Sequence, residues 1–303
     1  MSVRVLFVGG LGRSGSTVLD LLLGDVPGVA AIGEVRHLWE RGLRDNALCA
    51  CGEPFHDCPF WQRVGEVAFG GWRTLDPEAT IAAARAVDRH RQLPATAGPV
   101  AGRRGELRRY GGLLERLFSA VARVADARLV VDSSKDPPHG FVLRRVSGID
   151  LRAAHMVRDP RGVAYSWAKS VARPDARDGA HMTRTSVART ALMWVDANIL
   201  VELLARLHVP TVRVRYEDLV ADPEGQVRRV LHRAGLEPAA IRDGDARAPQ
   251  HAIAGNPLRF ADRPLALVLD DEWRRAMPAR DRRLATAITS PMLWRYGYSA
   301  RVA

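Results

Sequence analysis

A loop able to hold an anion stands near the start of the chain, in Gly9-Gly10-Leu11-Gly12-Arg13-Ser14-Gly15-Ser16-Thr17. Glycine-rich turns that run from a strand into a helix aim backbone N–H groups and the positive end of a helix dipole at one point. The loops that bind nucleoside triphosphates read G-x-x-x-x-G-K-[ST]. Gly10 and Gly15 keep that spacing, but Ser16 stands where the lysine belongs, and Arg13 supplies a cation three residues earlier. The chemistry expected is anion binding without a γ-phosphate to manage. Other candidates follow along the chain. Glu34, after Gly33, and His37 offer bases; Arg13 and Lys135 offer cations that could hold negative charge as it builds in a transition state, and Arg158 offers a second anion site.

Elements must bring these groups together. Val3–Val8 reads as a buried strand, with a helix from Val18 to Leu23 and a second short strand over Gly28–Ile32. Val35 to Arg44 and Asp76 to Arg91 read as helices, the second opened by an Asp-Pro pair. Leu93–Gly105, rich in proline and glycine, reads as a surface loop, and Glu106 to Ala125 as a long amphipathic helix. Strands follow at Arg128–Asp132, Leu151–Val157 and Thr211–Arg215, and helices at Pro137–Val146, from Arg161 through Ser170, at Thr185–Leu207 and at Pro223–Ala234. This alternation predicts an α/β fold, a doubly wound and mostly parallel sheet with a P-loop-like first βα turn. Ligands of such sheets lie beyond the carboxyl ends of the strands, so the loop, Ser133-Ser134-Lys135 and Arg158 should meet in one crevice.

Composition narrows the classes. The 303 residues are 47% hydrophobic, enough to bury a full core, and no linker divides them, so one domain over 1–303 is expected. The formal charge of +11 comes almost wholly from arginine, since lysine occurs only at 135 and 169. The arginines are spread along the chain rather than gathered in a tract with aromatics, which argues against nucleic-acid binding. A kinase or NTPase would need a lysine at position 16 and an acidic Mg²⁺ ligand after a strand; Asp132 could serve as the second, but the first is missing. Apolar runs are strand-length, and no basic and apolar leader precedes the first strand, so no membrane span, no signal peptide and a cytoplasmic location are expected. Cys49, Cys51 and Cys58, with His56 between them, could hold zinc or form a local disulfide. Their C-x-C and C-x6-C spacings match no common zinc pattern, and reduced thiols packing a loop are the expectation, with no metal site.

Taken in order, several motifs resemble those of the sulfotransferases that use 3′-phosphoadenosine 5′-phosphosulfate (PAPS), in particular bacterial members similar to the tyrosylprotein and carbohydrate enzymes. Gly12-Arg13-Ser14-Gly15-Ser16-Thr17 resembles the family's 5′-phosphosulfate loop. His155 through Arg161, with Ser166 eight residues after Arg158, resembles its 3′-phosphate motif. Arg215-Tyr216-Glu217-Asp218-Leu219 resembles a later strand-end signature that places Tyr216 at the nucleotide. His251 through Phe260 resembles the loop that covers the nucleotide and implies that Arg259 reaches the 3′-phosphate. The resemblance implies Glu34 as the catalytic base with His37 as the alternative, Arg13 and Lys135 as stabilisers of the transition state, adenosine 3′,5′-bisphosphate (PAP) as product, and no required metal. A basic residue often found four positions after the serine is Ser170 here, with Lys169 or Arg173 as substitutes. Composition and compartment point to the hydroxyl of a small molecule such as a natural product, glycolipid or phenol as acceptor, chosen by the cysteine loop with Phe55, Phe60 and Trp61, the Leu93–Gly112 region and Arg173–Thr185; the loop's aromatics read as acceptor surface or as a hydrophobic cluster that pins the loop. A homodimer remains open.

Overall fold

The computed structural model describes residues 2–98, 104–170, 181, 183–237, 250–260 and 267–300. Five parallel strands, β1 (Val3–Gly10), β2 (Val29–Ala31), β3 (Leu129–Lys135), β4 (Ile149–Val157) and β5 (Thr211–Arg215), form one sheet in the order β2-β3-β1-β4-β5. The chain leaves β1 toward one edge and later crosses to the other, so the topological switch lies beside β1, where doubly wound sheets bind ligands.

The helices are α1 (Ser16–Gly24), α2 (Pro59–Phe69), α3 (Pro77–Val87), α4 (Leu93–Ala97), α5 (Arg104–Val124), α6 (Pro137–Leu143), α7 (Pro160–Ala168) and α8 (Val187–Arg206). The last four are α9 (Tyr216–Ala221), α10 (Pro223–Arg233), α11 (Trp273–Ala276) and α12 (Ala279–Leu293). Asp-Pro pairs open α3, α6, α7 and α10: proline fits the first helical turn, where its missing N–H is not needed. Asp76, Asp159 and Asp222 also accept backbone N–H groups of their helices, whereas Asp136 turns to Arg36 instead. No helix among the described residues is long and apolar enough to cross a membrane.

Alternation along β1 divides the core. Val5 and Phe7 face one side and pack with Tyr110, Leu114, Phe141 and Leu204; Leu6 and Val8 face the other and meet Leu19, Leu23, Val227 and Val230. Both faces are covered, which is why the strand reads as an unbroken apolar run.

Three segments differ from expectation. Val35 to Arg44 is helical but not α-helical: a 3₁₀ turn, Val35–His37, leads into a π-helical stretch, Leu38–Arg44. The wider winding brings Gly42 against Phe55, where a β-carbon would stand 2.9 Å from the ring. Within Leu93–Gly105, residues 93–97 form α4 rather than loop, and 99–103 lie outside the described residues. The cysteine segment leads into α2, started by Pro59 and buried through Trp61, Val64 and Gly65. Phe55 and Trp61 are fully buried core residues, in line with the reading of the loop's aromatics as a cluster that pins it rather than as acceptor surface.

Candidate active site

The carboxyl ends of β1, β3 and β4 come to the same edge: Gly9 pairs in register with Lys135, and Gly10 with Met156. Above them lies a cavity of about 570 Å³, lined among others by Gly12, Arg13, Gly15–Thr17, Glu34, His37, Lys135, Arg158, Ser166 and Tyr216. The crevice expected from strand order is therefore present, with nearly all the candidate residues on its wall.

One end is the N-terminus of α1. Gly15 occupies the cap position with φ 92° and offers no side chain to the first-turn N–H groups. A β-carbon there would sit 2.6 Å from the Tyr216 ring, so the position combines left-handed backbone with contact against a neighbour, and only glycine fits. Arg13 also has positive φ, 72°. Ser14 lies just behind the lining; its Oγ is buried and has no hydrogen-bond partner among the described residues. Trp167 donates its indole N–H to the Gly12 carbonyl at 2.9 Å and fixes the loop from the α7 side.

Arg158, only 6% exposed, begins the turn after β4. Its Nη1 donates to the Arg13 carbonyl at 3.1 Å, and its Nη2 donates to the Asp270 carbonyl at 2.7 Å and pairs with the Asp270 carboxylate at 2.9 Å. The guanidinium lies 4.4 Å over the Tyr216 ring. Neither Asp159 nor Asp132 is its partner: Asp159 pairs with Arg161. Ser166 lies on the same wall, one helix along. Lys169 turns instead to Glu272, and Arg173 lies outside the described residues. Arg259 does not reach the cavity. Its guanidinium donates to the carbonyls of Gly255 at 3.1 Å and Leu48 at 3.4 Å, and its neighbours Asn256 and Leu258 line the wall instead.

The same cavity is lined by a buried acid, Glu34. Gly33, with φ 76°, is clamped between β3, through the Ser133 N–H to its carbonyl at 2.8 Å, and Ile253, to which Glu34 donates its N–H at 2.8 Å. A β-carbon on Gly33 would meet the Ile253 carbonyl oxygen at 2.5 Å. The Glu34 carboxylate is ion-paired to the Lys135 ammonium, and its other oxygen lies 3.6 Å from His37 Nε2. Burial alone would raise the Glu34 pKa, but the Lys135 and His37 charges outweigh it and bring it below the usual value. Burial dominates at His37 and pushes it down to about 4, so at neutral pH it is uncharged. Lys135 has φ 67°, a left-handed residue at the tip of β3, and lines the same cavity.

Asp132 lies buried behind the cavity wall, bonded to Val35 and Ser134. One oxygen accepts from the Val35 and Ser134 backbone N–H groups and the Ser134 hydroxyl; the other lies 3.0 Å from His139 Nε2. With both oxygens engaged and no exposure, it is not placed to bind Mg²⁺. His139 is wholly buried between Asp132 and Asp88, the latter 2.9 Å from Nδ1. Burial lowers its pKa, but the two carboxylates overcome that and raise it to about 10, making a buried cation.

Asp20, on α1 beneath the loop, titrates in the opposite sense to Glu34. Burial raises its pKa to about 7, despite the Ser133 hydrogen bond and the Lys135 charge. The folded protein thus keeps a proton that the unfolded chain releases from pH 4 upward, and stability falls as pH rises through that window. Asp20→Asn, which mimics the protonated form, is expected to stabilise by a few kcal/mol at about pH 8 and by almost nothing at about pH 4. Chemical denaturation at both pH values checks this; an equal gain at both, or a loss at the higher, contradicts it.

A family model described as "Sulfotransferase family" matches residues 71–240, more than half of the chain. The chain belongs to the sulfotransferase family. The matched span includes Lys135, Arg158, Ser166 and Tyr216, while the loop, Glu34 and Arg259 lie outside it. A sulfotransferase domain from the olefin synthase of Synechococcus PCC 7002 superposes with a TM-score of 0.54 at 21% identity, covering 98% of this chain and 96% of that one. A sulfotransferase domain from the curacin biosynthetic pathway gives 0.44 at 16% identity over 95% and 98%. Sulfotransferase STF9 from Mycobacterium avium gives 0.42 at 14% over 79% and 65%. The first likeness agrees with the sulfotransferase fold seen in the parallel five-stranded sheet. Among curated proteins there is no significant match.

The sequence did not single out Asp270, which orients Arg158, nor Arg36 and Arg41, which line the same wall. Arg36 is recognisable only in space, where it joins Asp88 and Asp136. Of the Arg173–Thr185 segment, expected to choose the acceptor, His181 and Thr183 line the cavity with Met193 and Ala197 of α8. Residues 173–180 and 182 of that segment lie outside the described residues.

Proposed function

We propose that this sulfotransferase, acting as one domain in the cytoplasm, moves the sulfuryl group of PAPS to a hydroxyl of a small molecule such as a phenol, glycolipid or other natural product. The observation that carries the proposal is one cavity whose wall brings together the α1 N-terminus with Arg13, the Arg158 guanidinium over the Tyr216 ring, and the Glu34–Lys135 pair. A donor with a 5′-phosphosulfate and a separate 3′-phosphate needs two groups of anion-binding residues on such a wall, and the Arg158 guanidinium suits the 3′-phosphate because its fork can hold two oxygens at once. The donor supplies a sulfur bound to a good leaving group. Glu34 takes the proton of the acceptor hydroxyl as its oxygen attacks, and Arg13 and Lys135 hold the charge that gathers on the sulfuryl and departing oxygens. The acceptor gains a sulfate ester, and PAP leaves.

Calorimetric titration with PAP, with ATP and Mg²⁺, and with duplex DNA tests the donor. PAP should bind, and Arg158→Ala should weaken it about 10- to 100-fold, the range for losing a charged hydrogen-bond pair. ATP binding that requires Mg²⁺ without PAP binding would replace the donor reading with a kinase or NTPase one, and binding of DNA alone would point to nucleic acid.

A further inference from the structure

Cys49, Cys51 and Cys58 do not meet His56. They meet His251, from a segment almost 200 residues away. The His56 Nε2 is 2.9 Å from the Leu43 carbonyl and is occupied elsewhere. The three sulfurs and His251 Nδ1 all lie within 4.8 Å of one another, and all three cysteines are free thiols.

Their spacing has a specific shape. A tetrahedral zinc ion, with Zn–S near 2.3 Å and Zn–N near 2.0 Å, sets its sulfurs about 3.8 Å apart and its nitrogen about 3.5 Å from each sulfur. Here Cys49 and Cys58 Sγ are 3.8 Å apart, and Cys51 and Cys58 Sγ 3.6 Å. His251 Nδ1 stands 3.3 Å from Cys58 Sγ and 3.8 Å from Cys49 Sγ. These edges leave room for an ion at the centre, and three thiolates with one imidazole are a donor set that favours zinc over hard cations.

The supports are of the kind that orient ligands before a metal arrives. Cys49 lies in a tight turn: its N–H donates to the Glu53 carbonyl at 2.8 Å, and its carbonyl accepts from Gly52, whose φ is 92°. Cys58 caps α2, two residues before Phe60. The Phe60 ring stacks on the His251 imidazole at 4.6 Å and 10° and fixes its plane, and Trp61 donates to the His251 carbonyl at 2.9 Å. Cys49 and Cys58 are fully buried.

We propose that Cys49, Cys51, Cys58 and His251 bind one zinc ion that staples the cysteine loop to the segment over Gln250–Phe260. Four protein ligands close the coordination sphere, so the ion is structural and takes no part in the transfer. The staple is two residues from Ile253, the residue that Gly33 and Glu34 grip, so the metal secures the backbone behind the acid without touching it. The proposal does not depend on which donor the enzyme uses.

The full chain, purified from zinc-supplemented culture with reductant present, should carry about one zinc per chain by plasma mass spectrometry. Cys51→Ser and His251→Ala should lose most of it, while His56→Ala keeps it. Should the variants fail to fold, the wild-type protein answers alone. Stripped with a chelator and titrated with Co²⁺ under reductant, it should develop the intense visible absorption of a tetrahedral thiolate site. Restoring zinc should raise the melting temperature by at least about 5 °C. Fully reduced wild-type protein that neither holds zinc nor takes up cobalt overturns the proposal. So does a Cys51–Cys58 disulfide in freshly isolated protein, or a His56→Ala variant that loses the metal.

Discussion

Glu34→Gln lowers kcat by about 10²- to 10⁴-fold while leaving PAP affinity within a few-fold of wild type, the range expected when a general base is lost and binding is kept. Glutamine keeps the size and hydrogen-bonding reach of the side chain, so Gly33 stays clamped by Ser133 and Ile253. What disappears is the negative charge opposite Lys135, and with it the proposed acceptor of the substrate's proton. The pH profile carries a second signature. With the Glu34 pKa held below the usual carboxylate range, the acid limb of kcat/KM in wild type lies below that range too, and activity is lost only as pH falls through it. Steady-state kinetics with any accepted phenol, paired with calorimetry of PAP, separates the two effects. A Glu34→Gln enzyme with near-normal turnover moves the base to His37, whose Nε2 is 3.6 Å away and whose neutral form persists down to about pH 4.

His139→Ala should be the most damaging single change to stability, about 3–5 kcal/mol, because it strands two buried carboxylates rather than removing one favourable pair. Asp88 and Asp132 lie on opposite sides of the imidazolium, both almost wholly buried. Wild-type stability from this cation is full below about pH 6.5, the ordinary histidine value, and is lost as pH rises through the folded value near 10. The variant lacks that alkaline loss and becomes more stable as pH falls, since protonating either carboxylate relieves the stranded charge. Urea denaturation across about pH 5 to 10 tests both statements; a loss below about 1 kcal/mol, or an unchanged alkaline slope, rules out the buried cation. Because Asp132 also holds the Val35 and Ser134 N–H groups, the variant should lose PAP affinity along with stability.

Local signals carried much of the fold into the sequence. β1 is apolar on both faces, Asp-Pro pairs mark four helix starts, and β5 falls within its expected limits because β-branched residues and arginine alternate there. The site was legible where it sits at a strand end, as with the Gly10–Gly15 loop, Lys135 and Arg158. What was not legible comes from pairing at a distance. Asp270 reaches Arg158 across 112 residues, and His251 reaches Cys58 across 193. No local pattern announces either partner. The shift from 3₁₀ to π winding over 35–44 likewise reflects the packing of Gly42 on Phe55 rather than helix propensity. Arg259 went astray because a motif gives the order of residues, while the direction of a side chain depends on the carbonyls it finds, here Gly255 and Leu48.

Gly33 and Ile253 form a parallel bridge between the two ends of the chain's history on the ribosome. The fifth strand is complete at Arg215, so the sheet can form while the remainder is still being made. Yet the backbone grip on Glu34, the Asn256 and Leu258 wall and the Asp270 partner of Arg158 are all synthesised later. A nascent chain that has assembled its sheet is therefore a scaffold without the candidate site, which is completed only when the segment over residues 251–270 emerges and closes over the loop and Glu34.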